Sequence, residues 1–122
     1  MTSVRQEDEA TDSEGNDMTK SASGEIGTRI LFENDHVRVW ENVLEPGEES
    51  AVHRHDHDYL SIDLEGDSLV HNPLKDGEFP RMEYEVNPGS VIPLRGGTTE
   101  TAINTGSTRF RGLLVEFLDD PR

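Results

Sequence analysis

Residues 47–66, GEESAVHRHDHDYLSIDLEG, contain three of the chain's five histidines at alternating positions. Alternate side chains of an extended strand project from one face, so His53, His55 and His57 should share a face with Tyr59. Imidazoles two residues apart on a strand can bind one ion, and imidazole suits Zn, Fe, Ni, Mn or Cu. The stretch therefore predicts a metal-binding strand; the alternative is a polar strand face without an ion.

The chain from Thr28 onward consists of short runs rich in Val, Ile, Leu, Phe and Tyr, separated by Gly, Pro, Asn and Asp. Such punctuation is typical of strands and turns. No run sustains the apolar spacing of three and four residues that indicates a long helix. The predicted strands are 28–32, 36–44, 50–55, 59–64, 68–71, 81–86, 90–93, 99–104 and 109–118. So many short strands favour an all-β sandwich, barrel or jelly roll.

Two of these strands have informative patterns. Apolar and charged residues alternate in 81–86, so one face of this strand should pack inward. Residues 110–118 are apolar on both faces over most of their length, which predicts a buried central strand. Its outer face, with Leu113, Val115 and Phe117, needs a cover, and we therefore expect a homodimer.

The first residues differ in composition from the rest. Residues 1–25 contain seven acidic and two basic side chains and few large apolar ones. A segment that buries little apolar surface cannot offset its ordering entropy. We predict a disordered acidic tail over 1–26, which solubilises the protein or docks a partner, and one β-barrel domain over 27–120.

Charge and composition exclude several functions. Eleven basic against 26 acidic residues give a net charge of −15, which disfavours nucleic acid and anionic membranes as partners. The absence of Cys removes disulfides, thiolate metal sites and cysteine nucleophiles. No apolar run approaches the roughly 20 residues of a membrane helix, and the first residues do not resemble a secretory signal. We expect a cytoplasmic protein.

The spacing of glycines and histidines resembles the first motif of the cupin family. That motif is Gly, five residues, His, one residue, His, three or four residues, Glu, six residues, Gly. Gly47, His53, His55, Tyr59 and Gly66 occupy these positions, with Tyr59 in place of the Glu.

The second cupin motif has a counterpart further along the chain. It is Gly, five residues, Pro, one residue, Gly, two residues, His, three residues, Asn. Gly89, Arg95, Gly97, Glu100 and Asn104 stand at these positions, with Arg95 for the Pro and Glu100 for the His.

The resemblance implies an all-β cupin double-stranded β-helix, which is a jelly-roll barrel, over about residues 28–118. It also implies metal ligands at His53 and His55, with Tyr59 and Glu100 in the two remaining places. Two imidazoles and the Glu100 carboxylate would suit non-haem Fe(II), with Mn, Ni or Zn as alternatives. Tyr59 and Glu100 are also the candidate catalytic residues, although Tyr59, with an ordinary pKa of about 10, favours hydrogen bonding. The alternative is that both residues hydrogen-bond across a metal-free barrel.

Three further residues are candidates for substrate binding. Arg95 could receive an anionic group at the barrel mouth, although a loop Arg more often pairs with a nearby carboxylate. Trp40 is expected to line the pocket or to belong to the core. His57 is a rival third ligand if its strand stays regular, and a bulge or turn at residues 56–58 would swing it away. His71 could edge the pocket, but we expect it to be structural or exposed.

These residues predict a class of function but not a particular reaction. We predict a metal-dependent cupin enzyme of the dioxygenase, isomerase, cyclase or lyase type that acts on a small organic molecule inside the barrel. The alternative is a non-catalytic module that binds a small ligand in the same pocket without metal. An auxiliary protein that docks a partner through its apolar carboxy-terminal strand is a third hypothesis.

Overall fold

A computed structural model describes residues 25–74 and 80–119, and all regular secondary structure in them is β-strand. Residues 1–24 of the predicted tail lie outside this range. The strands are β1 (Arg29–Glu33), β2 (Val37–Leu44), β3 (His53–Arg54), β4 (Tyr59–Glu65), β5 (Ser68–Pro73), β6 (Met82–Glu85), β7 (Val91–Leu94), β8 (Thr99–Asn104) and β9 (Phe110–Phe117). Every predicted strand is present, and no helix that could cross a membrane occurs in the described residues.

The strands form two antiparallel sheets. One has the order β3-β8-β5-β6, and the other has the order β1-β2-β9-β4-β7. Strand β9 lies in the middle of the larger sheet and pairs with β2 and β4 along its length, as its apolar sequence predicts. The core cluster of Leu44, Leu69, Val86, Ala102 and Phe110 contains side chains from both sheets, so the core lies between them. These features confirm the predicted all-β jelly-roll barrel.

A second apolar cluster lies near the start of the described chain. Trp40, Tyr59 and Leu114 pack there with Ile26, whose exposed fraction is 4%. Ile26 falls inside the predicted tail of residues 1–26. The packed domain therefore includes at least one residue before the predicted boundary at residue 27.

Four glycines of the two motifs adopt backbone conformations that other residues rarely take. Gly47, Gly66, Gly89 and Gly97 have φ values of 84°, 134°, 93° and 108°. A side chain at such a φ is strained. At Gly66 a Cβ atom would also lie 3.2 Å from Phe110. These glycines permit the turns that the sequence predicts at the strand ends.

The asparagine that ends the second motif ties three strand ends together. Asn104 is fully buried, and its Nδ2 donates to the carbonyl oxygens of Leu44 at 2.8 Å and Thr108 at 3.0 Å. Its Oδ1 accepts the backbone N–H of Gly106 at 2.9 Å. All polar atoms of the side chain are thus used to join the end of β2 to the β8–β9 turn.

Strand β6 differs in part from the alternating pattern of its sequence. Val86, just past the strand, is buried, and Tyr84 is half-buried, but Met82 is 40% exposed. The reason is that β6 is an edge strand that pairs only with β5, so its first residues lie at the barrel rim. On β9 the outward side chains of Leu113, Val115 and Phe117 are half-buried, and the homodimer stays a prediction.

An ion pair network stabilises the larger sheet. The Glu41 carboxylate accepts hydrogen bonds from Arg111 Nε at 2.6 Å and Arg29 Nε at 2.8 Å, while its own side chain is only 9% exposed. The Arg111 and Arg29 guanidinium groups hold the pKa of Glu41 below its ordinary value of 4.5, and partial burial opposes them. Because the pKa of Glu41 is lower in the folded than in the unfolded state, its ion pairs contribute their full stability above pH 4.5. This stability is lost as the pH falls from 4.5 to below the folded-state pKa.

We expect Glu41→Gln to lower the free energy of unfolding by about 1 kcal/mol at pH 7, a small value because solvent screens the exposed Arg29. The difference from the wild type should shrink as the pH falls below 4.5, where the unfolded chain takes up a proton that folded Glu41 binds only at lower pH. Urea denaturation at several pH values measures this. Asp56→Asn, which breaks the exposed Arg54–Asp56 pair, is the control and should change the free energy of unfolding at pH 7 by no more than about 0.5 kcal/mol. A Glu41→Gln effect that grows at acidic pH would contradict the expectation.

Candidate metal centre

Strand pairing brings the two sequence motifs together. His53 on β3 is the direct cross-strand partner of Glu100 on β8. The pairing continues past the end of β3, where the His55 N–H donates to the Thr98 carbonyl at 3.0 Å and the Gly97 N–H donates to the His55 carbonyl at 2.6 Å. As a result, the imidazoles of the first motif and the carboxylate of the second meet inside the barrel.

The three side chains form one buried cluster. His53, His55 and Glu100 have exposed fractions of 3%, 1% and 2%. Each offers one ligand atom, and these atoms all lie within 4.8 Å of one another. Glu100 Oε2 is 3.2 Å from His55 Nε2 and 3.5 Å from His53 Nε2. This is a two-His, one-carboxylate set, and it is a candidate metal site.

The protein orients both imidazoles. His53 Nδ1 lies 2.9 Å from the Ala51 carbonyl oxygen, so the proton resides on Nδ1 and Nε2 is left to face Glu100. The His55 ring stacks on the Tyr59 ring, with centroids 3.9 Å apart and planes at 7°. The two imidazoles meet edge to face at 4.9 Å. Their nitrogens are thus fixed before any ion binds.

The ionisation states suit a cation. Burial alone would raise the pKa of Glu100, but the adjacent imidazoles of His53, His55 and His71 outweigh it and hold that pKa well below its usual range. Burial lowers the pKa of His55, and the neighbouring Glu100 opposes this shift only in part. At neutral pH the site therefore contains an ionised carboxylate and an uncharged His55, which are the forms that bind metal.

Two atoms of the cluster have unmet bonding capacity. Glu100 Oε1 and His55 Nδ1 are buried and have no hydrogen-bond partner in the described part of the chain. Buried polar atoms are nearly always satisfied, and an unpaired one indicates a missing ion or water. The residues present therefore fit a metal ion.

A small cavity lies next to these atoms. Its volume is about 20 Å³, which is room for one water molecule or ion. Its lining has a polar part of Asn42, His53, His55, Tyr59, His71 and Glu100 and an apolar part of Ile26, Leu69, Ala102 and Leu114.

Tyr59 lies at the site, as the sequence predicts. It lines the cavity and is buried to all but 3%. Burial, together with the charge of Glu100, raises the pKa of its phenol far above the ordinary value of 10. The phenol is therefore held protonated, which suits a hydrogen-bond donor and disfavours a phenolate ligand.

The three predicted substrate-binding residues do not line this cavity. The chain bends at His57 after β3 has ended, so the strand alternation that would place this side chain beside His55 does not extend to it. Trp40 packs in the second core cluster and donates its Nε1 hydrogen to Glu116 at 2.9 Å. Arg95 is exposed in the turn before Gly97. Trp40 is thus a core residue, one of the two alternatives given above, and substrate contact by Arg95 and His57 stays a prediction.

One residue at the site was expected to be structural or exposed, with a position at the edge of the pocket as the alternative. His71 on β5 is buried, lines the cavity, and places Nδ1 3.5 Å from Glu100 Oε2. Only the alternation of Leu69 and His71 on one face of β5 could have indicated that this side chain points inward.

The fold has known counterparts, although no protein-family model and no curated protein matches the chain. A cupin domain from Bordetella pertussis Tohama I superposes with a TM-score of 0.62 at 21% identity, over 77% of this chain and 98% of that one. A protein with a double-stranded β-helix domain from Klebsiella pneumoniae gives 0.59 at 18% identity, over 85% and 89% of the two chains. A cupin family protein from Methanocaldococcus jannaschii gives 0.57 at 17% identity, over 77% and 93%. At these identities the likeness concerns the fold.

Proposed function

We propose that this chain, which has the cupin double-stranded β-helix fold, is a metal-dependent enzyme that acts on a small organic molecule. The observation that carries the proposal is the buried cluster of His53, His55 and Glu100, whose ligand atoms lie within 4.8 Å of one another. These three residues would hold a divalent transition metal such as Fe, Mn, Ni or Zn. A bound ion would supply a Lewis acid that polarises an oxygen of the substrate or of water.

The chain's own residues have distinct tasks at this centre. Tyr59, held protonated by burial, donates a hydrogen bond to substrate or water. Leu69 on β5 and Leu114 on β9 line the cavity from the two sheets and help to exclude bulk water, which strengthens every electrostatic contact inside it. Glu100 contributes the negative charge that offsets part of the charge of a divalent ion.

The size of the cavity limits the substrate. A volume of about 20 Å³ cannot enclose an organic molecule, since ligand pockets usually measure several hundred cubic ångströms. The substrate therefore presents one or two donor atoms to the ion while the rest of it stays near the barrel mouth. Dioxygenase, isomerase, cyclase and lyase reactions are all compatible with such a centre.

The same small cavity favours a second candidate function. A site with room for an ion or a water, lined by both polar and apolar side chains, also suits a module that binds one group of a small ligand without converting it. The difference between the candidates lies in turnover, because both can retain a ligand in the barrel.

Metal loading followed by a turnover screen tests the proposal. Metal-free protein is loaded anaerobically with Fe(II), Mn(II), Ni(II) or Zn(II), and elemental analysis should find one ion per chain. The loaded protein is then mixed with small carboxylic, keto and phenolic acids, and conversion is followed by mass spectrometry with Glu100→Gln as the matched control. Metal-dependent binding without conversion favours the ligand-binding module. Failure to bind any of the four ions overturns the enzyme proposal.

A further inference from the structure

We propose that His71 is a third imidazole ligand, so that the centre is a three-His, one-carboxylate site rather than a two-His, one-carboxylate site. This inference rests on the proposed function, because it concerns the same ion. Neither cupin motif includes position 71.

The sheet places His71 on the opposite side of Glu100 from His53. Strand β8 lies between β3 and β5, so Glu100 has His53 as its neighbour on one side and β5 on the other. On β5, His71 is the direct partner of Ala102 and therefore a diagonal neighbour of Glu100 on the same face. From this position His71 Nδ1 comes within 3.5 Å of Glu100 Oε2.

Three imidazole nitrogens surround one oxygen. Glu100 Oε2 lies 3.2 Å from His55 Nε2, 3.5 Å from His53 Nε2 and 3.5 Å from His71 Nδ1. Donor atoms that bind one ion at about 2.1 Å are roughly 3 Å apart when they occupy adjacent positions. The distance from Glu100 Oε2 to His71 Nδ1 is the same as that to His53 Nε2, 3.5 Å, and is close to this spacing.

A contact on the far side of the ring orients His71. Its Nε2 lies 3.4 Å from the Tyr84 hydroxyl, and the two rings are 5.5 Å apart between centroids. With its proton on Nε2, His71 donates to the Tyr84 oxygen and keeps the Nδ1 lone pair toward the cavity. Such a partner on the second nitrogen is the usual arrangement for a metal-bound histidine.

His71 stands just outside the group of three residues whose ligand atoms lie within 4.8 Å of one another. It nevertheless lines the same cavity, which is large enough for an ion. A small shift of the His71 ring toward the ion would complete the set. Because the ion attracts the Nδ1 lone pair, that shift is expected on loading.

Counting imidazoles by pulsed electron paramagnetic resonance tests the inference. Cu(II) is the probe, because it is paramagnetic and binds sites of this kind most tightly among the divalent ions of its row. The wild type should show three coordinated imidazoles, and His71→Asn should show two. Asn carries an amide N–H that can hydrogen-bond to Glu100, and it removes the imidazole nitrogen. His71→Gln serves as a second variant, and His57→Gln, outside the cavity, should keep three.

The outcomes separate this inference from the proposed function. A count of two in both wild type and His71→Asn overturns the third ligand and leaves the metal site intact. A count of three that persists in both His71 variants, or that falls in His57→Gln, also overturns it. If the wild type binds no Cu(II), the proposed function fails and the inference fails with it.

Discussion

Replacing His53 and His55 together by Ala is expected to weaken transition-metal binding by more than about 100-fold. Even the loss of a residue that only hydrogen-bonds to a metal ligand reduces metal affinity about 10- to 100-fold, and here two ligands are lost. Both imidazoles are buried, and both face Glu100 Oε2. Their loss leaves one carboxylate and at most one imidazole, which is too few ligands to compete with water. Competition with a chromophoric chelator measures the affinity, and elemental analysis measures the stoichiometry.

The matched control for this variant is His36→Ala. His36 is 70% exposed, pairs with Asp119 at 2.9 Å and does not line the cavity beside Glu100, so its loss should leave metal affinity unchanged. Because two buried histidines are removed, the His53→Gln, His55→Gln variant, which keeps most of the volume, is measured alongside with its far-ultraviolet circular dichroism. Wild-type metal affinity in a folded double variant would contradict the assignment of these residues.

Replacing Asn104 by Ala is expected to lower the free energy of unfolding by about 3 kcal/mol, since each buried group left without its partner costs about 1–3 kcal/mol. The side chain makes three hydrogen bonds, and two of its partners are the carbonyl oxygens of Leu44 and Thr108. Ala cannot replace any of them. The β8–β9 turn and the end of β2 then lose their connection.

Urea denaturation measures this effect. Asn87→Ala is the control, because Asn87 is exposed in the turn before β7, and a surface substitution of this kind changes stability by no more than about 0.5 kcal/mol. If Asn104→Ala cost no more than the control, the structural role given to the second motif would be wrong.

The strands could be predicted because Gly, Pro, Asn and Asp lie between them, and these residues favour turns. Positive φ at Gly47, Gly66, Gly89 and Gly97 coincides with the predicted turns. The exception is β3, predicted over 50–55 and observed only at His53–Arg54. Two aspartates follow His55, and Asp is depleted in strands. The end of this strand also explains why His57 does not line the cavity beside His55, in line with the alternative of a turn at residues 56–58.

The site could be predicted only in part. His53 and His55 are two residues apart, so local alternation brings them together, and Glu100 followed from its place in the second motif. His71 is a single histidine in a short strand, and its sequence carries no sign of a metal site. Its position depends on the register of β5 against β8, where His71 pairs with Ala102. Such a register is decided by the tertiary fold, which the local sequence does not contain.

The most direct test of the metal centre is anomalous X-ray diffraction from crystals of the protein loaded with Mn(II) or Fe(II). We expect one strong peak inside the barrel, bonded at about 2.0–2.3 Å to His53 Nε2, to a nitrogen of His55 and to a Glu100 oxygen. Peaks only at surface carboxylates, with the cavity beside Glu100 filled by water, would contradict the account.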